Sequence, residues 1–281
     1  IATLNEPWCI AWLSHAMGIH APGHRDLRAA ARAMHHVMLA HGKGVQALRA
    51  TTKADVGIVL NYEKAEPASD TPAAREAAAT WHALYNQWYV GGAIKGEYPE
   101  RMTTALAEYL PNGWEGEMST VAQPIDFLGV NYYTRARMDA AAGPGFPALE
   151  NIPGPLDKTQ IGWEVYPQGL ADILLWLKNE YTGDLPLYVT ENGMAWADTV
   201  SARDGAVNDQ QRVDYFDSHL RACLDVKAKG VPLKGYFAWS LLDNYEWALG
   251  YGPRFGLVHV DYDTQVRTPK ASFKAFQSML G

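Results

Sequence analysis

The sequence predicts an α/β fold in which helices and parallel strands alternate around a barrel. Short apolar strand patterns are separated by long segments with helix patterns, and connections of that length join parallel strands through right-handed crossovers. Four predicted strands also end in polar or aromatic residues, namely Asn61-Tyr62, Asn131-Tyr133, Glu191 and Trp239. Because a β/α barrel carries its active site at the carboxyl ends of its strands, this pattern favours a barrel.

Local patterns predict the first elements in chain order. Residues 2–6 read as the end of a strand, and residues 26–52 place apolar or small side chains at helical spacing. The β-rich run 55–62 predicts the next strand. A helix over 71–89 begins with proline at the favoured first position, and two glycines follow it.

The second half of the chain continues the alternation. The remaining predicted elements are a short helix at 99–110, strands at 125–133, 185–190, 233–240 and 256–261, a long loop at 139–160, and helices at 169–179, 209–229 and 269–280. Gly230 is a typical stop signal for the helix before it.

The number of units indicates an incomplete barrel. Four complete strand–helix units and the tip of a fifth strand can be counted, whereas a (β/α)₈ barrel needs eight. We therefore interpret residues 1–281 as the C-terminal portion of a single barrel domain whose N-terminal units are missing from this chain. An open doubly wound sheet is the alternative, but no Gly-rich phosphate loop follows a predicted strand.

Composition excludes several classes of function. The formal net charge is −7 and no Lys/Arg run occurs, which argues against a nucleic-acid partner. No apolar run approaches the ~18 residues that span a bilayer, so no membrane partner is expected. The two cysteines, Cys9 and Cys223, are too few for a disulfide framework. They fit a reducing compartment, and we expect a cytoplasmic protein, although Ile1 lies inside a predicted strand and the true N-terminus is not visible.

Two glutamates at strand ends suggest the chemistry. Glu6 follows the strand at 2–6, and Glu191 follows the strand at 185–190. A buried carboxylate is costly unless it is paired or used. Glycoside hydrolysis needs two carboxyl groups, one that attacks the anomeric carbon or activates water and one that protonates the departing oxygen. The 10 Trp and 15 Tyr, many of them in predicted loops, suit stacking against sugar rings as well as capping of the barrel ends.

Several motifs together resemble the β-glucosidases of glycoside hydrolase family 1. They are Thr3-Leu-Asn-Glu-Pro7, Asn131-Tyr-Tyr133, Tyr188-Val-Thr-Glu-Asn-Gly193, Phe237-Ala-Trp-Ser-Leu-Leu-Asp-Asn-Tyr-Glu-Trp247, Arg254-Phe-Gly256 and Asp261-Tyr262. The resemblance implies a (β/α)₈ TIM barrel of which this chain supplies the end of strand 4 and units 5–8. It also implies retaining hydrolysis of terminal non-reducing β-D-glucosyl residues, with no cofactor.

The resemblance assigns a role to each matching residue. Glu6 corresponds to the general acid/base, Glu191 to the nucleophile and Tyr133 to the hydroxyl that supports the nucleophile. The implied substrate-binding residues are Asn5, at the sugar 2-hydroxyl; Trp239, beneath the glycone ring; Glu246 and Trp247, at the other glycone hydroxyls; Trp8 and Trp163, as aglycone-side walls; and Asn131 and Phe255, for which packing or backbone support is an equal alternative. Like-charge repulsion from Glu191 is expected to keep Glu6 protonated.

The same positions narrow the substrate. Glu246 is an acid that would repel a phosphate, which favours an unphosphorylated β-glucoside or short oligosaccharide. The family's glycone-binding Gln and its His-Trp pair belong to the missing portion. We therefore expect this chain to be inactive without the N-terminal part of the barrel, which is its second implied partner.

Three alternatives stay open from the residues. A β-galactosidase, a β-fucosidase or a transglycosidase would share the mechanism. A metal-dependent hydrolase is disfavoured because the histidines at 15, 20 and 24, and at 35, 36 and 41, lack a completing Cys or carboxylate, so no metal site is expected. A sugar-binding module without turnover would lack Glu6 or Glu191, and both are present.

Overall fold

A computed structural model describes residues 1–143 and 146–280. The strands are β1 Ala2–Asn5, β2 Gly57–Pro67, β3 Phe127–Ala140, β4 Leu149–Asn151, β5 Leu187–Asn192, β6 Leu233–Ala238, β7 Val258–Val260 and β8 Arg267–Pro269. The α-helices are α1 Leu27–Thr51, α2 Pro72–Trp81, α3 Trp88–Val90, α4 Glu100–Ala105, α5 Met118–Val121, α6 Pro167–Leu177, α7 Gln210–Ala228 and α8 Ala271–Met279. Shorter helical turns are Cys9–Leu13, His82–Gln87, Gly91–Lys95, Trp114–Glu117, Lys178–Thr182 and Trp247–Leu249.

The main sheet is a parallel half-barrel. Its strands lie in the order β1, β2, β3, β5 and β6, each parallel to its neighbours. Strand β4 adds to β3 in antiparallel direction, and β7 and β8 form a separate two-stranded ribbon. The predicted alternation of parallel strands and helices is confirmed. Because these five strands are parallel, the carboxyl ends of β1, β2, β3, β5 and β6 point to one rim, where the site residues lie.

Helix α1 shows how local chemistry sets an element. The Asp26 carboxylate accepts hydrogen bonds from the backbone N–H groups of Arg28 and Ala29 at 2.8 and 3.1 Å, which caps the helix start. Gly42 packs so closely on α5 that a Cβ there would lie 1.8 Å from the carbonyl oxygen of Thr120. A side chain at position 42 would therefore force α1 away from α5.

The predicted helix over 71–89 extends further than its sequence signals indicated. Its turns run on through Gly91 and Gly92 to Lys95, and it ends at Gly96, whose φ of 68° is favourable for glycine. Gly91 and Gly92 allow close packing here, because a Cβ on either would come within 2.8 Å of Glu97 O or Tyr98. The prediction treated these glycines as a helix end, whereas the structure uses them for a tight contact.

Strands β2 and β3 are also longer than predicted. They pair in register as far as Pro67 and Met138, beyond a bulge at 62–64, and so raise a two-stranded extension above the rim. The predicted loop at 139–160 is partly wrong, because Leu149–Asn151 turns back and pairs with β3. Residues 144–145 of that loop lie outside the described residues.

The core lies between the sheet and its helices. Its strand side consists of fully buried apolar residues, including Ile58, Leu60, Leu128, Val130, Leu187 and Val189. Strands β1 and β6 form the two edges of the parallel sheet, each with one parallel neighbour among the described strands. In the described part of the chain, none of the helices has the length and hydropathy required to cross a membrane.

Candidate active site

Glu191 lies at the end of β5, in the interior of the sheet. Its register partner on β3 is Asn131. The Tyr133 hydroxyl donates a hydrogen bond of 2.7 Å to Glu191 Oε2. Tyr133 is itself held by aromatic contacts, with ring centroids 5.2 Å from Trp163 and 6.1 Å from Phe255. The position of the carboxylate is thus fixed by a strand with neighbours on both sides and by a packed tyrosine.

The residue after Glu191 anchors the strand end from behind. Asn192 is fully buried, and its amide donates to the backbone oxygen of Tyr132 at 2.7 Å and to the Tyr215 hydroxyl at 2.9 Å. A Cβ on Gly193 would lie 1.8 Å from the backbone oxygen of Trp239, so glycine is required for the approach of β6. Both features tie the carboxylate to neighbouring strands.

Glu6 has a different environment at the tip of β1. Its φ of 49° lies in the left-handed region, which costs a non-glycine residue roughly 1–3 kcal/mol. Pro7 disfavours the right-handed helical region for the residue before it, as expected from the sequence. The Glu6 carboxylate accepts from Asn131 Nδ2 at 2.8 Å on Oε1 and from Cys9 Sγ at 3.1 Å on Oε2.

Asn131 brings the two carboxyl groups together. Its Nδ2 donates to Glu6 and also to Asn5 Oδ1 at 3.0 Å, and Asn131 is the register partner of Glu191. The Thr190 hydroxyl donates to Asn131 Oδ1 at 2.6 Å, which directs the Asn131 N–H groups towards Glu6 and Asn5. Asn131 is completely buried. The interpretation of Asn131 as support therefore describes its contacts better than direct sugar binding.

The two carboxyl groups repel each other. Burial and the negative charge of Glu6 raise the pKa of Glu191 to about 7, and the hydrogen bond from Tyr133 opposes the rise, as do the neighbouring amides of Asn131 and Asn5. The like-charge interaction expected from the sequence is present, and it acts on Glu191. Since the two groups interact strongly, one proton near neutral pH belongs to the pair rather than to either residue alone.

Three predicted glycone-binding residues lie in the segment after β6. Trp239 is half-buried. Burial and the negative charge of Glu6 raise the pKa of Glu246, and the neighbouring Trp239 opposes the rise. The Trp247 side chain is 67% exposed, and its ring lies 5.9 Å from that of His20, a neighbour that the sequence did not indicate.

The assignment of Trp8 to an aglycone wall stays a prediction, and in this structure the Trp8 side chain is enclosed. Trp8 is only 2% exposed, because its ring packs 5.4 Å from Trp12, 5.4 Å from Trp81 and 4.6 Å from Tyr85. A side chain enclosed in this way has no open face for a ligand. Large apolar side chains are buried readily, and Trp8 packs among these aromatic rings instead of facing the rim.

The other two aromatic assignments differ from each other. Phe255 is 2% exposed and packs on Tyr133 and Trp163, which favours the packing alternative. Trp163 is half-buried beside Tyr133 and keeps part of its surface open. Trp163 thus fits the predicted wall position, whereas Phe255 supports the residues around it.

A buried ionic network fixes the loops of the Glu191 side. It consists of six charged residues, Asp198, Asp209, Arg212, Asp243, Arg254 and Lys270. Asp243 is central, because it accepts from Arg254 and Lys270 at 2.8 Å each and from the backbone N–H groups of Gly256 and Val260. The three positive and three negative charges balance. No sequence pattern indicated this network, since its members are spread over more than 70 residues.

A carboxyl pair at the carboxyl ends of parallel barrel strands is the arrangement that glycosidases use. Comparison with known proteins agrees with that class. The model of glycosyl hydrolase family 1 matches residues 1–281. The chain therefore belongs to glycosyl hydrolase family 1, as the sequence motifs indicated.

The similar proteins include β-glucosidases. A β-glucosidase of Agrobacterium sp. is 47% identical over 99% of this chain and 61% of its own length. A solved family 1 β-glucosidase from Thermotoga maritima superposes with a TM-score of 0.95 at 41% identity, covering 99% of this chain and 63% of that one. The Thermotoga maritima enzyme in complex with glucoimidazole superposes with a TM-score of 0.94 at 40% identity, covering 99% of this chain and 62% of that one. The chain thus spans about three fifths of the length of these relatives, and its fold is the corresponding part of their (β/α)₈ barrel.

Proposed function

We propose that the whole protein is a retaining β-glycosidase that releases terminal β-D-glucosyl residues from β-glucosides and short oligosaccharides. One observation carries the proposal: Glu6 and Glu191, which are 185 residues apart, both lie at Asn131, which hydrogen-bonds Glu6 and is the register partner of Glu191. Retention requires carboxyl groups about 5–5.5 Å apart and inversion roughly 6.5–9.5 Å, and contact with one asparagine favours the shorter spacing.

In the first half-reaction, Glu191 attacks the anomeric carbon while Glu6 gives its proton to the departing oxygen. The C–O bond to the aglycone breaks and an ester bond to Glu191 forms. In the second, Glu6 takes a proton from water, the water oxygen attacks the anomeric carbon, and the ester bond breaks. Tyr133 supports Glu191 through its hydrogen bond of 2.7 Å. The proton shared by the carboxyl pair moves to Glu6 when Glu191 becomes the nucleophile.

The proposed glycone site lies beside this pair. Trp239 supplies an apolar face for the sugar ring, and Glu246 binds its hydroxyl groups. Trp247 is exposed and can close over the sugar from the other side. Asn5, next to Glu6 in the chain, binds the 2-hydroxyl. Glu246 adds a third acidic side chain to the site, which makes it a poor place for a phosphate.

Glucose is favoured as the glycone because the first relatives compared are named β-glucosidases and the glucoimidazole complex belongs to a similar structure. A β-galactosidase, a β-fucosidase or a transglycosidase would use the same carboxyl pair. We further propose that activity needs the N-terminal barrel units, since β1 and β6 are open edges of the parallel sheet in the described residues.

The proposal is tested on the full-length protein with an aryl β-glucoside. The first product released should have the β configuration, as measured by NMR during the first minutes of hydrolysis. A 2-deoxy-2-fluoro glucoside should leave a sugar ester on the peptide that contains Glu191, as measured by mass spectrometry. Glu108→Gln, at an exposed site, is the matched control and should label normally. An α product, or a label on another residue, would refute the proposed mechanism.

A further inference from the structure

We propose that Cys9 is a positioning residue that holds the carboxyl group of Glu6 through its thiol, an inference that rests on the function proposed above. The first of the family motifs ends at Pro7, and the resemblance assigns no role to Cys9. In the structure, its Sγ lies 3.1 Å from Glu6 Oε2. Asn131 holds the other oxygen of the same carboxylate at 2.8 Å.

The local backbone brings the thiol to Glu6. The chain turns into a short helical segment, Cys9–Leu13, directly after the strand end. The Cys9 N–H donates to Glu6 O at 2.9 Å, and the Ser14 hydroxyl donates to Cys9 O at 3.1 Å. Because residues three apart lie on the same face of a helical turn, the Cys9 side chain lies next to the Glu6 side chain. The turn is therefore anchored on both sides of Cys9.

The thiol has the protonation state needed for a donor. Burial is the main factor that raises the Cys9 pKa, and the neighbouring Glu6 charge and hydrogen bond raise it further. Cys9 thus keeps its S–H proton at neutral pH and donates to the carboxylate, whereas a thiolate would repel it.

Glu6 needs such support more than Glu191 does. Its φ of 49° is strained, and β1 has one neighbour, β2, among the described strands. Glu6 must also alternate between acid and base in the proposed reaction. A thiol is a weak donor, so it can orient the carboxyl group without fixing its proton. A change of orientation should affect the steps in which Glu6 transfers a proton.

The experiment compares Cys9→Val, Cys9→Ala and Cys9→Ser in the full-length protein over a series of aryl and alkyl β-glucosides. Cys223→Val is the matched control. Cys223 is the other free cysteine among the described residues, and it is buried on α7. We expect Cys9→Val and Cys9→Ala to lower kcat/KM by about two- to tenfold for poor leaving groups, which need protonation, and much less for activated aryl groups. Cys9→Ser should recover part of the loss, and Cys223→Val should show no dependence on the leaving group.

A loss that is equal for all leaving groups, or no loss at all, would overturn the positioning role and leave Cys9 as a packing residue. If Cys9→Val fails to fold, as judged by its thermal midpoint, the comparison of Cys9→Ala with Cys9→Ser gives the same decision. Failure of the proposed function is separate, because Glu191→Gln would then keep normal hydrolysis. An inactive Glu191→Gln with unchanged Cys9 variants overturns only the role of Cys9.

Discussion

The two carboxyl groups of the site are held in different ways. Glu191 lies on an inner strand, and residues of β3, β6 and α7 contact it or the strand end that carries it. Glu6 directly follows the four-residue edge strand β1, with a strained backbone and two side-chain donors, Asn131 and Cys9. The group proposed as the nucleophile is thus fixed by strand packing, whereas the proposed acid/base depends on a few individual contacts.

This difference has a physical reason in the proposed reaction. A nucleophile must stay charged and aimed at one carbon, which a rigid site favours. An acid/base changes its proton in each half-reaction, so a weak donor such as a thiol suits it.

The largest effect expected is that of Glu191→Gln. Loss of the nucleophile should lower kcat by about 10⁴-fold or more for every leaving group, because no ester can form. Glu6→Gln should lower it by about 10²–10⁴-fold for poor leaving groups and far less for activated aryl groups. Steady-state kinetics on a leaving-group series measures both. If both variants showed the same dependence, the two groups would not have distinct roles.

The ionic network should contribute strongly to the stability of the Glu191 side. Lys270→Met removes one of the three cations that balance three carboxylates, so a buried negative charge is left over and the free energy of unfolding should fall by about 3–5 kcal/mol. Lys274→Met, at an exposed site on α8, should change it by about 0.5 kcal/mol or less. Denaturant unfolding of the full-length protein measures both values. Equal stability of the two variants would contradict the role of the network.

Tyr133→Phe should change the pH dependence of hydrolysis. Burial and the charge of Glu6 raise the pKa of Glu191 to about 7. The Tyr133 hydrogen bond limits this rise, because it stabilises the charged form of Glu191. Removal of that bond raises the pKa further, so the acidic limb of kcat/KM should move to higher pH by about one unit. Tyr109→Phe, outside the site, should leave the limb in place. A shift to lower pH would mean that the tyrosine acts in another way.

The smallest effect is expected at Thr190, whose hydroxyl orients the amide of Asn131 between Glu6 and Glu191. Thr190→Val keeps the shape of the side chain but loses the donor that orients Asn131, so kcat/KM should fall by roughly two- to tenfold. The loss should be similar for activated and poor leaving groups, since Asn131 hydrogen-bonds Glu6 and is the register partner of Glu191. Thr104→Val, on the exposed side of α4, is the control. An unchanged rate would show that Asn131 is held well enough without Thr190.

Much of the fold could be predicted because strand and helix periods are local properties. The parallel order, the long helix α1 and the polar strand ends are confirmed by the sheet. The continuation of α2 through Gly91 and Gly92 was missed, because glycine signals a helix end in sequence but permits close packing in space. The pairing of β4 with β3 was missed for a related reason, since antiparallel pairing depends on a distant partner.

The sequence by itself determined which residues could do chemistry: two glutamates at strand ends, a tyrosine, and tryptophans in the rim segments. Tertiary structure decided what each of them touches. It enclosed Trp8 in an aromatic cluster, joined Glu6 to Glu191 through Asn131, and placed the Cys9 thiol against Glu6. Residue type limits the possible chemistry, but burial, hydrogen-bond partners and pKa depend on neighbours that only the folded chain brings together.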